Sequence, residues 1–240
     1  VYPTRAAAER FCEYLRRHAD CAATIHASDL HDVHVVCFPQ AVAGIAKSGW
    51  QHCGEGISSR QAEAALAGED FDAGTEAKQK LRRRTAELAG VSAGDVFLFP
   101  CGMNAIYRVH RALCRLFPDR KSVQFGFPYV DSLKIQEKFG AGVHFFPRGN
   151  SDELAEVERI VGREPICGLF TEYPSNPLLV SPPLEKLHTL ARQHEFPLVV
   201  DETLATFVNA DVLPVADVIC TSLTKFFSGI GDVTAGSLIV

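Results

Sequence analysis

Short, continuously apolar runs alternate with segments of helical periodicity over most of the chain from about residue 75 onward. Strands that are buried on both faces form such continuous runs, whereas strands with one exposed face alternate apolar and polar residues. The apolar runs lie at 95–100, 122–127, 142–147, 166–173, 197–201, 217–221 and 236–240. The helical segments lie at 75–89, 103–117, 130–139, 151–162 and 183–195. Because parallel strands need a crossover connection, usually a helix, this order predicts an α/β fold with a mostly parallel sheet and helices on both faces.

The first 70 residues lack this regular alternation. Their expected elements are a helix over 4–18, a strand over 34–38, a Gly- and Ser-rich connection over 44–60 and a short helix over 58–67. Thr4 and either Ser58 or Ser59 are suitable N-caps for the two helices, and Gly68 is a suitable stop for the second. We therefore predict an N-terminal arm, 1–70, followed by one main domain, 71–240. Since a domain seldom ends on a bare central strand, the run at 236–240 also suggests that the chain is part of a longer protein.

Charge and hydropathy exclude two classes of partner. Lys and Arg number 24 against 29 Asp and Glu, a formal net charge of −5, so there is no basic excess for a nucleic acid or an anionic membrane. No apolar run approaches the roughly 18 residues of a spanning helix, and residues 1–20 have no apolar signal-peptide core. The composition is that of a soluble, cytoplasmic protein.

The eight cysteines do not form a metal-binding or disulfide pattern. They are scattered, with no C-x-x-C pair, and several lie in apolar runs, so buried reduced thiols are expected. The nearest approach to a ligand cluster is His26, His31 and His34, or the neighbours His52 and Cys53. Neither set recurs with other ligands at a metal-site spacing, and we predict no metal.

Potential ligand-binding residues follow most of the expected strands. In an open parallel sheet, ligands bind beyond the carboxyl ends of the strands. The segments there are Cys101-Gly102-Met103-Asn104, Pro128-Tyr129, Pro174-Ser175-Asn176-Pro177, Asp201-Glu202-Thr203 and Ser222-Leu223-Thr224-Lys225. Each segment alone is compatible with an ordinary cap, turn or surface charge. Together they supply a phosphate cradle, an aromatic face, a buried acid and a desolvated lysine, the parts that a pyridoxal-phosphate enzyme requires.

Four of these segments also carry a family resemblance. They are C-G-M at 101–103, T-E-Y-P-S-N-P at 171–177, V-D-E-T at 200–203 and S-L-T-K-F-F-S-G at 222–229. In this order they resemble the cystathionine γ-synthase branch of the Cys/Met-metabolism family, whose large domain has the aspartate-aminotransferase-like fold of type I pyridoxal-phosphate enzymes. The block at 47–60 is similar to the long N-terminal region of the fungal γ-synthases.

The resemblance implies three catalytic residues. Lys225 would form the Schiff base with pyridoxal 5′-phosphate and later shuttle protons as the released amine. Asp201 would pair with the pyridinium nitrogen and keep it protonated. Tyr129 would stack on the ring and assist the elimination at Cγ.

Other residues would hold the cofactor. By the same resemblance, Asn176 would hydrogen-bond the ring O3′, and Thr203 would lie beside the ring. The phosphate would be bound by the amides of Gly102 and Met103 and by the hydroxyls of Ser222 and Thr224.

The implied reaction is γ-replacement on an O-acylated homoserine, with cysteine sulfur displacing the acyl group to give cystathionine. The partners are then small amino-acid substrates and other copies of the chain, in a homodimer or homotetramer. Two alternatives stay open at this point. One is a γ-substitution enzyme of a specialised pathway with another nucleophile, and the other is a catalytically degenerate homologue with a structural or regulatory role.

The chain departs from the family pattern in two places. Active members carry a Tyr-x-Arg element that reaches the neighbouring subunit's phosphate, whereas 69–77 here has Phe71 and no Arg after it. Loss of such a charge-assisted contact costs about 1.5–3 kcal/mol of cofactor affinity. The family's C-terminal domain, which supplies an arginine for the substrate carboxylate, is expected to be missing from these 240 residues.

Overall fold

The computed structural model describes residues 1–27, 33–71 and 74–240, and it divides into two compact units, Val1–Ala77 and Lys78–Val240. Of the sequence features discussed above, His31 and positions 72–73 of the 69–77 stretch lie outside the described residues. The division into an arm, 1–70, and a domain, 71–240, stays a prediction.

The first unit is built from helices and a two-stranded antiparallel sheet. Its elements are α1 (Arg5–Ala19), β1 (Thr24–Ala27), β2 (His34–Cys37), α2 (Ala43–Cys53) and α3 (Ser59–Ala67). The expected N-caps form, since the hydroxyl of Thr4 accepts from Ala7 N–H and that of Ser58 accepts from Gln61 N–H. Gly68 ends α3 in the left-handed conformation, as predicted. Strand β1 was not expected from the sequence.

The Gly- and Ser-rich connection predicted over 44–60 is wrong in its first half, where α2 forms. Gly49 lies inside this helix and against α1, because a Cβ built at Gly49 would lie only 2.5 Å from Tyr14 Cε1. Glycine costs roughly 1 kcal/mol in a helix interior relative to alanine. Here its missing side chain is what lets the two helices approach, and the packing of α2 on α1 outweighs the low local propensity.

The second unit contains the alternation predicted from the sequence. Its helices are α4 (Thr75–Ala89, which begins in the first unit), α5 (Gly102–Leu116), α6 (Val130–Phe139), α7 (Ser151–Val161), α8 (Leu184–His194) and the short α9 (Thr206–Asn209). Its strands are β3 (Val96–Phe99), β4 (Ser122–Phe125), β5 (Val143–Phe146), β6 (Leu169–Glu172), β7 (Leu198–Asp201), β8 (Val218–Thr221) and β9 (Gly236–Ile239). In this part of the chain the strands form one seven-stranded sheet in the order β3-β9-β8-β7-β6-β4-β5.

The mostly parallel sheet is confirmed, with β9 as the exception. Strand β9 runs antiparallel to both of its neighbours, β8 and β3, while the other pairs are parallel. The segment 222–235, all of it described, contains the helical turn Leu223–Phe227 but no crossover helix, so the chain turns back on itself between β8 and β9. Thr224 closes this reversal, since its hydroxyl accepts from Ala235 N–H at 3.0 Å and its own N–H donates to Ala235 O.

Helices cover both faces of the sheet. On one face, the leucines of α7 and α8 pack with Leu169, Leu198 and Val200 in the main apolar core. Residues that alternate with these point to the opposite face. There Phe170 contacts the ring of His110 on α5, and Gln124 accepts a hydrogen bond from Gln136 of α6 at 2.8 Å. Within the described ranges, no helix is both long and apolar enough to cross a membrane.

Candidate active site

The carboxyl ends of β4, β6, β7 and β8 bring most of the predicted site segments to one edge of the sheet. Glu172 and Asp201, the last residues of β6 and β7, are paired across the two strands, and Asp201 is in turn level with Cys220 of β8. A narrow cavity beneath this edge is lined by Pro128, Glu172, Asp201 and Cys220, among other residues.

Asp201 is held by the residue two positions after it. The Thr203 hydroxyl donates to Asp201 Oδ1 at 2.6 Å, and the Thr203 N–H donates to the same oxygen at 3.0 Å. Burial raises the pKa of Asp201, and the two hydrogen bonds from Thr203 act in the opposite direction. A cation placed against this carboxyl group would favour its charged form further. Because Thr203 donates two hydrogen bonds to Oδ1, the carboxyl group of Asp201 is oriented before any ligand binds.

Thr203 also connects Asp201 to the segment that follows β8. Its hydroxyl oxygen accepts from the N–H of Ser222 at 2.8 Å, and Ser222 O in turn accepts from Lys225 N–H at 3.2 Å. The predicted acid and the predicted lysine segment are thus joined by a short chain of hydrogen bonds.

The turn at Cys101 and Gly102 packs directly on Ser222. A Cβ built at Gly102 would lie 2.6 Å from Ser222 Cβ and 2.8 Å from Ser222 Cα, so only glycine fits without displacing backbone. Gly102 begins α5, whose first N–H groups have no partners within the helix. Burial raises the pKa of the thiol of Cys101, the N-cap, and the backbone N–H groups of Met103 and Asn104 act in the opposite direction. Met103 follows, half-buried, in the first turn. Amides at the start of a helix are suitable donors to an anion.

The two hydroxyls predicted to bind phosphate differ in their surroundings. Among the described residues, the Ser222 hydroxyl has no hydrogen-bond partner and lies next to Gly102. The Thr224 hydroxyl, by contrast, is already bound to the backbone of Ala235 through both its proton and its oxygen. Ser222 is therefore ready to donate to a ligand, whereas Thr224 holds the β8–β9 reversal.

Lys225 is exposed, so the expectation of a desolvated lysine is wrong. It lies in the helical turn Leu223–Phe227, where its backbone departs from helical geometry with φ −87° and ψ −118°. Phe226 in the same turn and Ile230 shortly after it are exposed as well, so this segment lies at the surface of the described part of the chain.

Tyr129 and Asn176 come from the loops after β4 and β6. The Tyr129 ring is 45% exposed, and its hydroxyl donates to Asp131 Oδ2 at 2.9 Å. Burial and the Asp131 carboxylate together raise the pKa of Tyr129. Asn176 is also exposed. Both side chains are therefore accessible to a ligand at this edge.

Two buried acids of the site were not singled out from the sequence. Glu172 Oε2 accepts from the backbone N–H of Tyr129 at 3.0 Å and of Asn176 at 3.2 Å. Burial and the neighbouring Asp201 raise the pKa of Glu172 to about 8. Burial likewise raises the pKa of Glu202 to about 8, and its Oε1 accepts from the Thr221 hydroxyl. The sequence signal that could have identified these two acids is an acidic residue at, or directly after, the end of an apolar strand. Across the parts of the chain described, no three His, Cys, Asp or Glu residues are grouped to hold a metal ion.

Known proteins match both units. The Cys/Met metabolism PLP-dependent enzyme family matches residues 71–240, and the fungal trans-sulfuration enzyme N-terminal domain matches residues 1–58. A cystathionine gamma-synthase-like enzyme of Amanita muscaria is 38% identical over 89% of this chain and 46% of its own length. The cystathionine gamma-synthase of Neurospora crassa is 42% identical over 78% of this chain and 32% of its own.

A solved structure shares the fold. The crystal structure of cystathionine gamma synthase from Xanthomonas oryzae aligns with a TM-score of 0.57 at 23% identity, over 68% of this chain and 42% of that one. The chain thus spans about half or less of the length of these relatives. Because the family match covers more than half of the chain, the protein belongs to the Cys/Met metabolism family of enzymes, whose cofactor is pyridoxal 5′-phosphate.

Proposed function

We propose that the protein catalyses γ-replacement on an O-acylated homoserine, with cysteine as the nucleophile and cystathionine as the product. The observation that carries this proposal is the hydrogen-bonded chain from Asp201 through Thr203 to Ser222, which links an oriented acid to the lysine-bearing turn. The similarity to cystathionine gamma-synthases supports the same assignment.

The residues at the sheet edge fit pyridoxal phosphate. A side chain at Gly102 would clash with Ser222, so the missing Cβ is what lets the backbone amides of this turn and the Ser222 hydroxyl lie side by side. The Ser222 hydroxyl and the amides of Gly102 and Met103 are suitable donors to the cofactor phosphate. Asp201 is suited to a protonated ring nitrogen, and Lys225, being exposed, is accessible to an aldehyde.

Each residue then has a defined task in the reaction. Bound pyridoxal phosphate supplies an electron sink for negative charge that develops at substrate Cα and Cβ. Lys225 Nζ moves protons to and from these two carbons. The Asp201 carboxylate would stabilise the positive charge of the protonated ring nitrogen. Thr203 holds that carboxylate in one orientation through its two hydrogen bonds. Tyr129 would cover the cofactor ring and Asn176 would donate to its oxygen, and both would hold the reacting groups in one orientation.

The test starts with cofactor binding. Incubated with pyridoxal phosphate, the full-length protein is expected to develop a visible absorption band that borohydride removes, and Lys225→Ala is expected to lack the band. Lys121→Ala is the matched control, because Lys121 is exposed just before β4, at the opposite edge of the sheet. A wild-type protein without the band would exclude the enzymatic proposals and favour a degenerate homologue.

Turnover separates the remaining candidates. With O-acetyl- or O-succinylhomoserine and cysteine, mass spectrometry should detect cystathionine in the wild-type reaction and none with Lys225→Ala. The second candidate is γ-substitution with a different nucleophile. The similarity to an enzyme named only as cystathionine gamma-synthase-like favours it. Consumption of the acylated homoserine only when another nucleophile replaces cysteine would decide for this candidate.

We also propose that the protein acts as a homodimer or homotetramer in the cytoplasm, with small amino acids as its substrates. Light scattering of the full-length protein measures the assembly directly. A monomer that retains full activity would contradict it.

A further inference from the structure

Glu172 is an acid of the site to which the reaction above gives no task, although its contacts are specific. A single oxygen, Oε2, accepts from the backbone N–H groups of both Tyr129 and Asn176. Tyr129 is the N-cap of α6 in the loop after β4, whereas Asn176 follows β6 by four residues. The two loops are otherwise formed by separate crossover connections, and this oxygen joins them.

The burial of Glu172 makes these contacts consequential. Glu172 is only 6% exposed, whereas the two residues whose amides it binds, Tyr129 and Asn176, are exposed. Loss of a typical intramolecular hydrogen bond costs about 0.5–1.5 kcal/mol, and two amides depend on this oxygen. Both loops would then be free to shift relative to the sheet edge.

The charge state of Glu172 is compatible with a holding role. Since burial and Asp201 raise its pKa to about 8, the group carries a proton near neutral pH, and a second negative charge beside Asp201 is avoided. A neutral carboxylic acid still accepts hydrogen bonds through the oxygen that carries no proton, which here is Oε2. A neutral amide of the same shape should therefore replace it.

We propose that Glu172 is a positioning residue, whose Oε2 fixes the Tyr129 and Asn176 loops so that both side chains meet the cofactor ring. This inference rests on the proposed function, which assigns Tyr129 and Asn176 to the cofactor. Glu172 itself does not need to touch cofactor or substrate.

Glu153 offers a matched control elsewhere in the same unit. Its Oε2 accepts from the N–H groups of Arg148 and Gly149 at 2.8 and 2.7 Å, and its side chain is also buried. Glu153 thus makes the same type of contact, but it holds one local turn before α7 rather than two loops of the site. Its loss should reduce stability without changing the cofactor site.

The experiment measures the dissociation constant of pyridoxal phosphate by absorption titration of the full-length protein and its variants. Glu172→Ala should weaken binding by about 10- to 100-fold, the effect of one or more lost hydrogen bonds. Glu172→Gln, which keeps an acceptor oxygen in place, should bind within about threefold of wild type. Glu153→Ala should also stay within about threefold, whatever its melting temperature.

Three results would overturn the proposal. These are unchanged affinity in Glu172→Ala, an equal loss in Glu172→Gln, or an equal loss in Glu153→Ala. If Glu172→Ala does not fold, Glu172→Asp takes its place, because it withdraws the oxygen by one methylene and should bind less tightly than Glu172→Gln. Equal affinities of these two variants would contradict the inference. The readout is cofactor affinity, so a failure to form cystathionine would reject the proposed function without deciding this point.

Discussion

Glu202 should make the stability of the second unit depend on pH, and Glu202→Gln should remove much of that dependence. The side chain is 1% exposed, and its Oε1 accepts from the Thr221 hydroxyl at 2.7 Å. Glutamine has the same shape and keeps an oxygen to accept this bond. The substitution therefore changes the ionisation of the site and leaves its packing intact.

The direction follows from proton binding. Burial, aided by the nearby Asp201, raises the pKa of Glu202 from 4.5 to about 8. Between these two values the folded protein holds a proton that the unfolded chain has released, so stability falls as pH rises through this window. The contribution is complete below about pH 4.5 and lost above about pH 8. At about 1.4 kcal/mol per pH unit, the whole window corresponds to about 5 kcal/mol at most.

Urea unfolding followed by circular dichroism at about pH 5 and about pH 8.5 measures this effect. The free energy of unfolding of the wild type should fall between the two conditions, and that of Glu202→Gln should fall by several kcal/mol less, about 4 at most between these two pH values. Glu158→Gln is the control, since Glu158 is exposed on α7 and should retain the wild-type pH dependence. Equal pH dependence in wild type and Glu202→Gln would refute the reasoning.

Two further substitutions each test one contact, a close packing contact in the second unit and a buried ion pair in the first. Gly102→Ala places a Cβ 2.6 Å from Ser222 Cβ and should cost about 1–3 kcal/mol of unfolding free energy together with cofactor affinity, as measured by urea unfolding and absorption titration. Gly44→Ala is the control, because a Cβ at Gly44 meets nothing within 4 Å. Equal losses of unfolding free energy in the two variants would contradict the close packing of Gly102 on Ser222. Arg10→Met removes a bidentate contact with the buried Glu55 at 2.7–3.0 Å and should cost about 3–5 kcal/mol, as measured by thermal unfolding. A change below about 1 kcal/mol, the range of an exposed pair, would show that this contact does not hold the first unit.

Much of the second unit could be predicted because its local signals agree. The expected helices over 75–89 and 130–139 have the same bounds in the structure, and each expected strand forms within a few residues of its predicted ends. Apolar periodicity and capping residues are both encoded locally. Where the local signal and the packing disagree, as at Gly49 in α2, the prediction is wrong.

The candidate site was only partly predictable for a related reason. Motif order placed Asp201, Tyr129 and Lys225 at the correct strand ends, since the carboxyl ends of parallel strands share an edge. The exposure of Lys225 could not be read from its neighbours in sequence, because burial depends on what else the fold places around a side chain.

The sequence by itself determined the layered fold, the family and most of the residues at the sheet edge, all of which depend on patterns within short segments. Only the tertiary structure decided that Glu172 joins two loops, with Tyr129 lying 43 residues away, and that Thr224 holds a backbone reversal. Hydrogen bonds between distant segments depend on strand order and register. In this sheet β9 runs against its neighbours and sets the position of the turn that carries Lys225.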